Sequence, residues 1–182
     1  MTHIDTRLLA GSSPVDSPNA SEHEAGLPLG TSVLTLDGAL PVEAIYPGDR
    51  VITRNGGAQT VRAVIRRAVP RSMRLVHVSS DALGGKPEKE IILLPHQRVL
   101  MRDWRTKALW GKDQAEVEAE NLVDGEFIKW ADGETRPTHM ISLHFDKEQI
   151  IYAGGLEVSS ASAFVPEITG PELTGPETTG AL

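Results

Sequence analysis

The chain has 182 residues, of which 40% are hydrophobic and 4% are aromatic, with 18 Lys and Arg against 25 Asp and Glu. This length and hydrophobic content suffice for one domain, whose core must consist mainly of Val, Ile, Leu and Ala. The net charge of −7 argues against nucleic-acid binding, which requires clustered positive charge. The chain has no cysteine, which excludes disulfides, thiolate metal sites and a cysteine nucleophile.

Partners and compartment are constrained by what the sequence lacks. No segment has the apolar length of a membrane-spanning helix or a secretory signal. We therefore expect a monomer with no membrane partner, cytoplasmic by default, with export that needs no cleaved N-terminal signal as the alternative. We expect no cofactor, because no glycine pair sits in a phosphate-binding loop. We also expect no metal, because no two histidines have a spacing typical of ligands.

Both ends of the sequence are predicted to be disordered. Residues 1–26 form an N-terminal arm without apolar periodicity, and residues 166–182 repeat Pro-Glu-x-Thr-Gly three times. Proline and glycine at every fifth position prevent both helix and strand. One domain, residues 27–165, remains between them. The tail is interpreted as a linker, with binding of an unknown protein or peptide partner as the alternative.

The domain sequence alternates short apolar strands with turns. Strands at 31–36 and 50–54 each end in a hairpin signal, Asp37-Gly38 and Asn55-Gly56-Gly57. Later strands are predicted at 75–78, 91–94, 99–101, 127–130, 140–145 and 149–152. The pattern predicts an all-β domain that is closed or strongly curved. We place any helix at 114–122, and expect the tryptophans to fill the core: Trp104, Trp110 and Trp130.

A short internal echo predicts a duplicated plan. Residues 42–45 precede Gly48-Asp49 and a strand, and residues 117–122 precede Asp124-Gly125 and a strand. In both places a small amphipathic turn leads the chain into a tight turn.

Four segments, in order, resemble the blocks of the Hedgehog/intein (Hint) domain family in its short bacterial form. They are residues 30–53, 94–100, 118–125 and 144–156. The resemblance implies a curved, horseshoe-like all-β domain with pseudo-twofold internal duplication. It also implies self-cleavage or protein splicing. In that chemistry a Cys or Ser at the first position attacks the preceding carbonyl, and a histidine of the central block positions or protonates the departing amide nitrogen.

The sequence departs from the family at the positions that carry this chemistry. The nucleophile position, four residues before the Gly-Thr of the first strand, holds Gly26. The central histidine position holds Gln97, with His96 one place early and therefore expected to face the opposite side. In the closing block, where relatives often have His-Glu, the sequence reads Glu148-Gln149.

These departures favour a degenerate domain that is not an enzyme and acts as a scaffold or binding module. The alternative is autocatalytic cleavage or splicing by an N–O acyl shift through a hydroxyl, for which Ser21 and Thr31 are nearest to the nucleophile position. His144, in the closing block, is a further candidate catalytic residue. A third hypothesis is a binding module that uses the vacated active-site cleft.

Overall fold

The structure, a computed structural model, describes residues 25–133 and 136–163. The predicted arm and tail lie outside these residues, except for Ala25 and Gly26. Within the described residues the chain forms short 3-10 helices at Val42–Ala44 and Ala119–Leu122, and one α-helix, α1 (Trp104–Trp110). The strands are β1 (Leu27–Pro28), β2 (Ser32–Thr35), β3 (Gly38–Pro41), β4 (Arg50–Thr53), β5 (Gly57–Thr60), β6 (Ala63–Ala68), β7 (Val76–Val78), β8 (Ile91–Leu93), β9 (Arg98–Met101), β10 (Ala115–Glu118), β11 (Ile128–Trp130), β12 (His139–His144), β13 (Ile150–Ala153) and β14 (Leu156–Ser159).

The strands form three sheets, with every pairing antiparallel in the part of the chain that the structure describes. The largest sheet has the order β10-β9-β14-β13-β2-β4-β5, and β3 pairs with β2. Two three-stranded sheets have the orders β1-β12-β6 and β11-β7-β8. The predicted hairpins β2–β3 and β4–β5 are confirmed. The sequence predicts an all-β domain that is either closed or strongly curved. None of the three sheets closes into a barrel in the described residues, so the closed form is wrong.

The duplicated plan is visible in the strand order. The order β1, β2, β3 and first 3-10 helix recurs as β8, β9, β10 and second 3-10 helix, with α1 inserted between β9 and β10. β2 and β9 flank the β13–β14 hairpin on opposite sides of the large sheet. The two halves, β1–β7 and β8–β14, also exchange strands. β12 of the second half pairs with β1 and β6 of the first, and β7 of the first half pairs with β8 and β11 of the second.

The core is aliphatic, as the composition predicts. Val33, Val51, Leu93 and Val99 are fully or almost fully buried in one cluster that spans both halves. The largest fully buried side chain is Phe145, which follows β12. β12 is buried along its central four residues, and this strand carries the candidate site described below.

The expectation that the tryptophans fill the core is wrong for Trp104, which is 75% exposed. Trp130 is only partly buried, and the guanidinium of Arg74 stacks 3.6 Å from the centre of its ring. The side chain of Trp110 lies outside the described residues. Among the described side chains, Val, Ile and Leu together with Phe145 fill the interior.

The predicted position of the helix is also wrong. α1 begins after Asp103, whose carboxylate accepts a hydrogen bond from the Arg105 N–H at 3.0 Å, and ends at Gly111 in the left-handed conformation (φ 66°). Segment 114–122 forms β10 and the second 3-10 helix instead, because Val117 is buried between two more exposed glutamates, which is the period of a strand. No helix in the described residues is long and apolar enough to cross a membrane.

Candidate functional site

The peptide bond between Ala25 and Gly26 is buried, and side chains distant in sequence hold both of its polar groups. The Ser142 hydroxyl donates a hydrogen bond of 2.6 Å to the Ala25 carbonyl oxygen. The Gly26 N–H donates one of 3.0 Å to Oε1 of Gln97. These partners lie 117 and 71 residues along the chain. We call this arrangement the amide clamp.

The orientation of Gln97 in the clamp is fixed by its other contacts. Its Nε2 donates to the carbonyl of Ser159 at 2.8 Å and to that of Arg98 at 3.3 Å. Since both of these partners are acceptors, the amide nitrogen must face them and Oε1 must face Gly26. The side chain is only 1% exposed, so no water competes for these bonds.

Strand register explains how Ser142 reaches the peptide. Leu27 pairs with Ile141 and Pro28 with Met140 in the antiparallel β1–β12 ladder. One further step of this register brings Gly26 opposite Ser142. Because side chains alternate along a strand, Ser142 and His144 lie on the same face of β12.

The space around Gly26 is closed. A Cβ atom added to Gly26 would lie 3.0 Å from Met140 Cβ, 3.3 Å from Leu94 Cδ1 and 3.5 Å from Ser142 Oγ. The first of these contacts is tighter than most contacts that real Cβ atoms make, so a side chain at this position requires its neighbours to move. Glycine offers no side chain here, and a larger residue would need Met140 to move by a few tenths of an ångström.

The turn of Pro95, His96 and Gln97 presents its last two side chains to opposite sides. Gln97 points inward, whereas the His96 side chain is 52% exposed and lies near Glu118 and Glu120. This is the opposite facing that the sequence predicts. His96 therefore does not reach the amide clamp.

His144, at the end of β12, lies in space beside Ser162, close to the last described residue. Its Nδ1 is 3.1 Å from the Ser162 carbonyl oxygen, and its buried Nε2 has no hydrogen-bond partner among the described residues. Burial lowers the pKa of His144; the contact with Ser162 opposes this shift and the charge of Arg67 adds to it. A neutral imidazole is therefore favoured two residues from the clamp serine.

Thr31 is buried, but its hydroxyl donates to the Pro28 carbonyl at 2.7 Å and makes no bond to the Ala25–Gly26 peptide. Thr31 instead lines a separate cleft of about 590 Å³. Other residues that line this cleft are Gly30, Ser32, His77, Glu90 and Ile92. The opening thus lies beside β1 and β8, and the space at Gly26 itself is filled.

The structure therefore brings Gly26 and Gln97 together. His144 lies on the same face of β12 as Ser142. Thr31 and His96 contact other residues and make no bond to the Ala25–Gly26 peptide. Ser21 lies outside the described residues. Sequence reasoning missed Ser142, because no local pattern marks a single serine whose partner is 117 residues away. Its position becomes visible only in the fold, where β12 pairs with β1.

The described residues thus form an open, duplicated β fold with exchanged strands, in which the Ala25–Gly26 peptide is held near the beginning of the fold. The family model described as the Hint domain matches residues 26–163. The chain belongs to the Hint domain family.

Several solved structures are similar to this chain. An intein-like domain from Clostridium thermocellum shares 19% identity with a TM-score of 0.53, over 75% of this chain and 98% of that one. The AceL NrdHF class 3 split intein, in a splice-inactive variant, shares 15% over 77% and 99%, with a TM-score of 0.49. The gp41-1 intein shares 18% over 73% and 96%, with a TM-score of 0.46. A comparison with curated proteins gave no match.

Proposed function

We propose that this Hint domain does not cleave or splice its own backbone, and that it serves as a scaffold for the segments attached to its two ends. The observation that carries the proposal is the amide clamp on the Ala25–Gly26 peptide. This is the peptide that precedes the family's nucleophile position, which we assign to Gly26. We assign the family's histidine position to Gln97.

The clamp has the wrong chemistry for cleavage. Breaking the peptide requires a nucleophile beside the Ala25 carbonyl and a proton donor to the departing nitrogen. Gly26 supplies no nucleophile, and Gln97 presents an acceptor oxygen to the Gly26 N–H. A carboxamide does not titrate near neutral pH, so it cannot replace an imidazole as general acid. The same contacts hold the intact amide in place.

A scaffold role is supported by where the chain enters and leaves the domain. Ala25 is bonded to Ser142 on β12, and at the other end the Ala161 N–H donates to the carbonyl of Leu143 on the same strand. The Gln97 side chain bridges the two ends, because it accepts from the Gly26 N–H and donates to the Ser159 carbonyl. Segments attached before residue 25 and after residue 163 therefore leave the domain from neighbouring points. Splicing would need this closeness, and a scaffold that holds two segments near each other would also benefit from it.

The rival function is self-cleavage through a hydroxyl. Thr31 is bonded elsewhere, so the observation that favours this reaction is the Ser142 hydroxyl, 2.6 Å from the Ala25 oxygen. In that position the hydroxyl polarises the carbonyl and would stabilise charge on its oxygen. The rival needs the Ser142 oxygen to attack the carbonyl carbon instead.

A binding role would use the cleft beside Thr31, since the former nucleophile space is filled. Its volume suits a small molecule or a short peptide segment, and it combines the apolar Ile92 with the polar His77 and Glu90. Ligand-dependent thermal stabilisation would identify an occupant.

The test is hydroxylamine treatment of the full chain carrying a small folded N-terminal fusion. Hydroxylamine at neutral pH splits an ester but leaves ordinary amides intact, so the scaffold proposal predicts no fusion released by a break after Ala25. Release of the fusion from the wild-type chain but not from Ser142→Ala would establish the rival reaction and its dependence on the Ser142 hydroxyl.

A further inference from the structure

A second group of side chains lies on the outer side of the Gln97 turn. His96 Nδ1 is 3.7 Å from a carboxylate oxygen of Glu118 and 3.6 Å from one of Glu120. The three ligand atoms lie within 4.8 Å of one another. We call these residues the His96 cluster. Because it joins an imidazole nitrogen to two carboxylates, it differs from an ordinary acidic patch.

Backbone hydrogen bonds hold the parts of the His96 cluster together. The Ala119 N–H donates to the Gln97 carbonyl at 2.9 Å, and the Glu120 N–H donates to the Pro95 carbonyl at 3.0 Å. His96 lies between these two acceptors, and Ala119 lies between the two glutamates. The three side chains are therefore carried on two tight turns that are hydrogen-bonded to each other. This preorganisation lowers the entropy that would be lost when an ion binds.

The distances leave room for a metal ion between the imidazole and the carboxylates. Both exceed 3.5 Å, the limit for a hydrogen bond. Two ligand atoms each about 2.1 Å from a tetrahedral Zn²⁺ lie about 3.4 Å apart. The two nitrogen–oxygen separations of 3.7 and 3.6 Å therefore need to close by only a few tenths of an ångström. All three side chains are partly exposed, so an ion can reach them from solvent.

We propose that His96, Glu118 and Glu120 bind one divalent transition-metal ion of the zinc type. One imidazole and two carboxylates are ligands that such ions accept, with the remaining position left to water. This departs from the sequence-based expectation of no metal, which considered only the spacing between histidines and not glutamates 22 and 24 residues later.

The bound ion would have a structural effect on the amide clamp. It would cross-link the turn that carries Gln97 to the second 3-10 helix, and so restrict movement of the residue that holds Gly26. This inference does not depend on whether the domain cleaves itself, since the cluster faces away from the Ala25–Gly26 peptide.

The experiment is titration of the metal-free full chain with ZnCl₂ by isothermal calorimetry, paired with thermal unfolding. We expect saturable binding of one ion per chain and a higher melting temperature with zinc. The double variant Glu118→Gln/Glu120→Gln should lose affinity by more than about tenfold, because even residues that only support metal ligands contribute this much. His96→Ala should behave in the same way and serves if the double variant does not fold. The control Glu126→Gln removes an exposed carboxylate elsewhere and should bind like wild type.

Two results would overturn the proposal. One is the absence of saturable zinc binding by the folded wild-type chain. The other is wild-type affinity in the cluster variants, which would show that the ion is held by other residues, such as His3 or His23.

Discussion

The N–H of Gly26 donates a 3.0 Å hydrogen bond to Oε1 of Gln97, which lies 71 residues further along the chain. We assign these residues to the two positions at which the family places its nucleophile and its central histidine. In this chain they are bonded to each other, and both are buried. On this assignment, their contact holds in place the peptide at which we expect the family's chemistry to act.

Replacing Gln97 with Ala should destabilise the domain by about 2–4 kcal/mol, because it opens a cavity and leaves buried polar groups without partners. The measurement is urea unfolding followed by circular dichroism. The matched control is Gln114→Ala at an exposed position, which should stay within about 0.5 kcal/mol of wild type. Equal effects of the two substitutions would show that the clamp contributes nothing to stability.

Replacing Gly26 with Ala should reduce the free energy of unfolding by about 1–3 kcal/mol, since the new methyl group meets Met140 Cβ at 3.0 Å. Gly133 provides the control, because a Cβ there meets nothing within 4 Å. Gly133→Ala should be neutral or stabilising by up to about 1 kcal/mol. A Gly26→Ala protein as stable as wild type would contradict the closed space described here.

His144 predicts a pH dependence of stability. Its pKa is lowered in the folded state, mainly by burial, so the unfolded chain binds the proton more readily. Its contribution is therefore fully present above the ordinary value of 6.5 and is lost as pH falls from there towards the lower folded pKa.

Urea unfolding across this range tests the prediction. His144→Gln should make the fall in stability between about pH 7.5 and pH 5.5 shallower than in wild type. Gln114→Ala removes no titrating group, so it serves as the control and should keep the wild-type slope. An unchanged slope in His144→Gln would assign the effect to other groups.

Restoring the family residues should restore chemistry. The folded double variant Gly26→Cys/Gln97→His should release an N-terminal fusion when thiol is added, because the Ser142 hydroxyl already contacts the Ala25 oxygen. Adding Ser142→Ala should slow release by about a hundredfold, the usual effect of removing one oxyanion donor. A folded double variant that releases nothing would count against our assignment of the two positions.

The strands and the family could be predicted from the sequence because their signals are local. Asp37-Gly38 and Asn55-Gly56-Gly57 mark hairpins by their turn chemistry, and the 3-10 helices at 42–44 and 119–122 produce the internal echo. The opposite facing of His96 and Gln97 agrees with the prediction, although these residues lie in a turn and the rule used for the prediction describes strands. Each of these inferences depends on residues close together in the chain.

What the sequence did not predict depends on contacts between distant residues. The exchange of β7 and β12 is a property of pairing between halves, and Ser142 acquires its role only through it. The position of the α-helix is the exception, since its end signals, Asp103 and Gly111, are local but lie outside the predicted segment 114–122. The closed space at Gly26 depends on Met140 and Leu94, which no spacing rule connects to it.

The central claim is that the Ala25–Gly26 peptide stays intact. The most direct test is the intact mass of the full chain behind a small folded N-terminal fusion, followed for a day with and without added thiol. The account predicts a single unchanged mass under both conditions. Loss of the fusion by a break next to residue 26, faster with thiol, would contradict it and show that a hydroxyl performs the nucleophile's task.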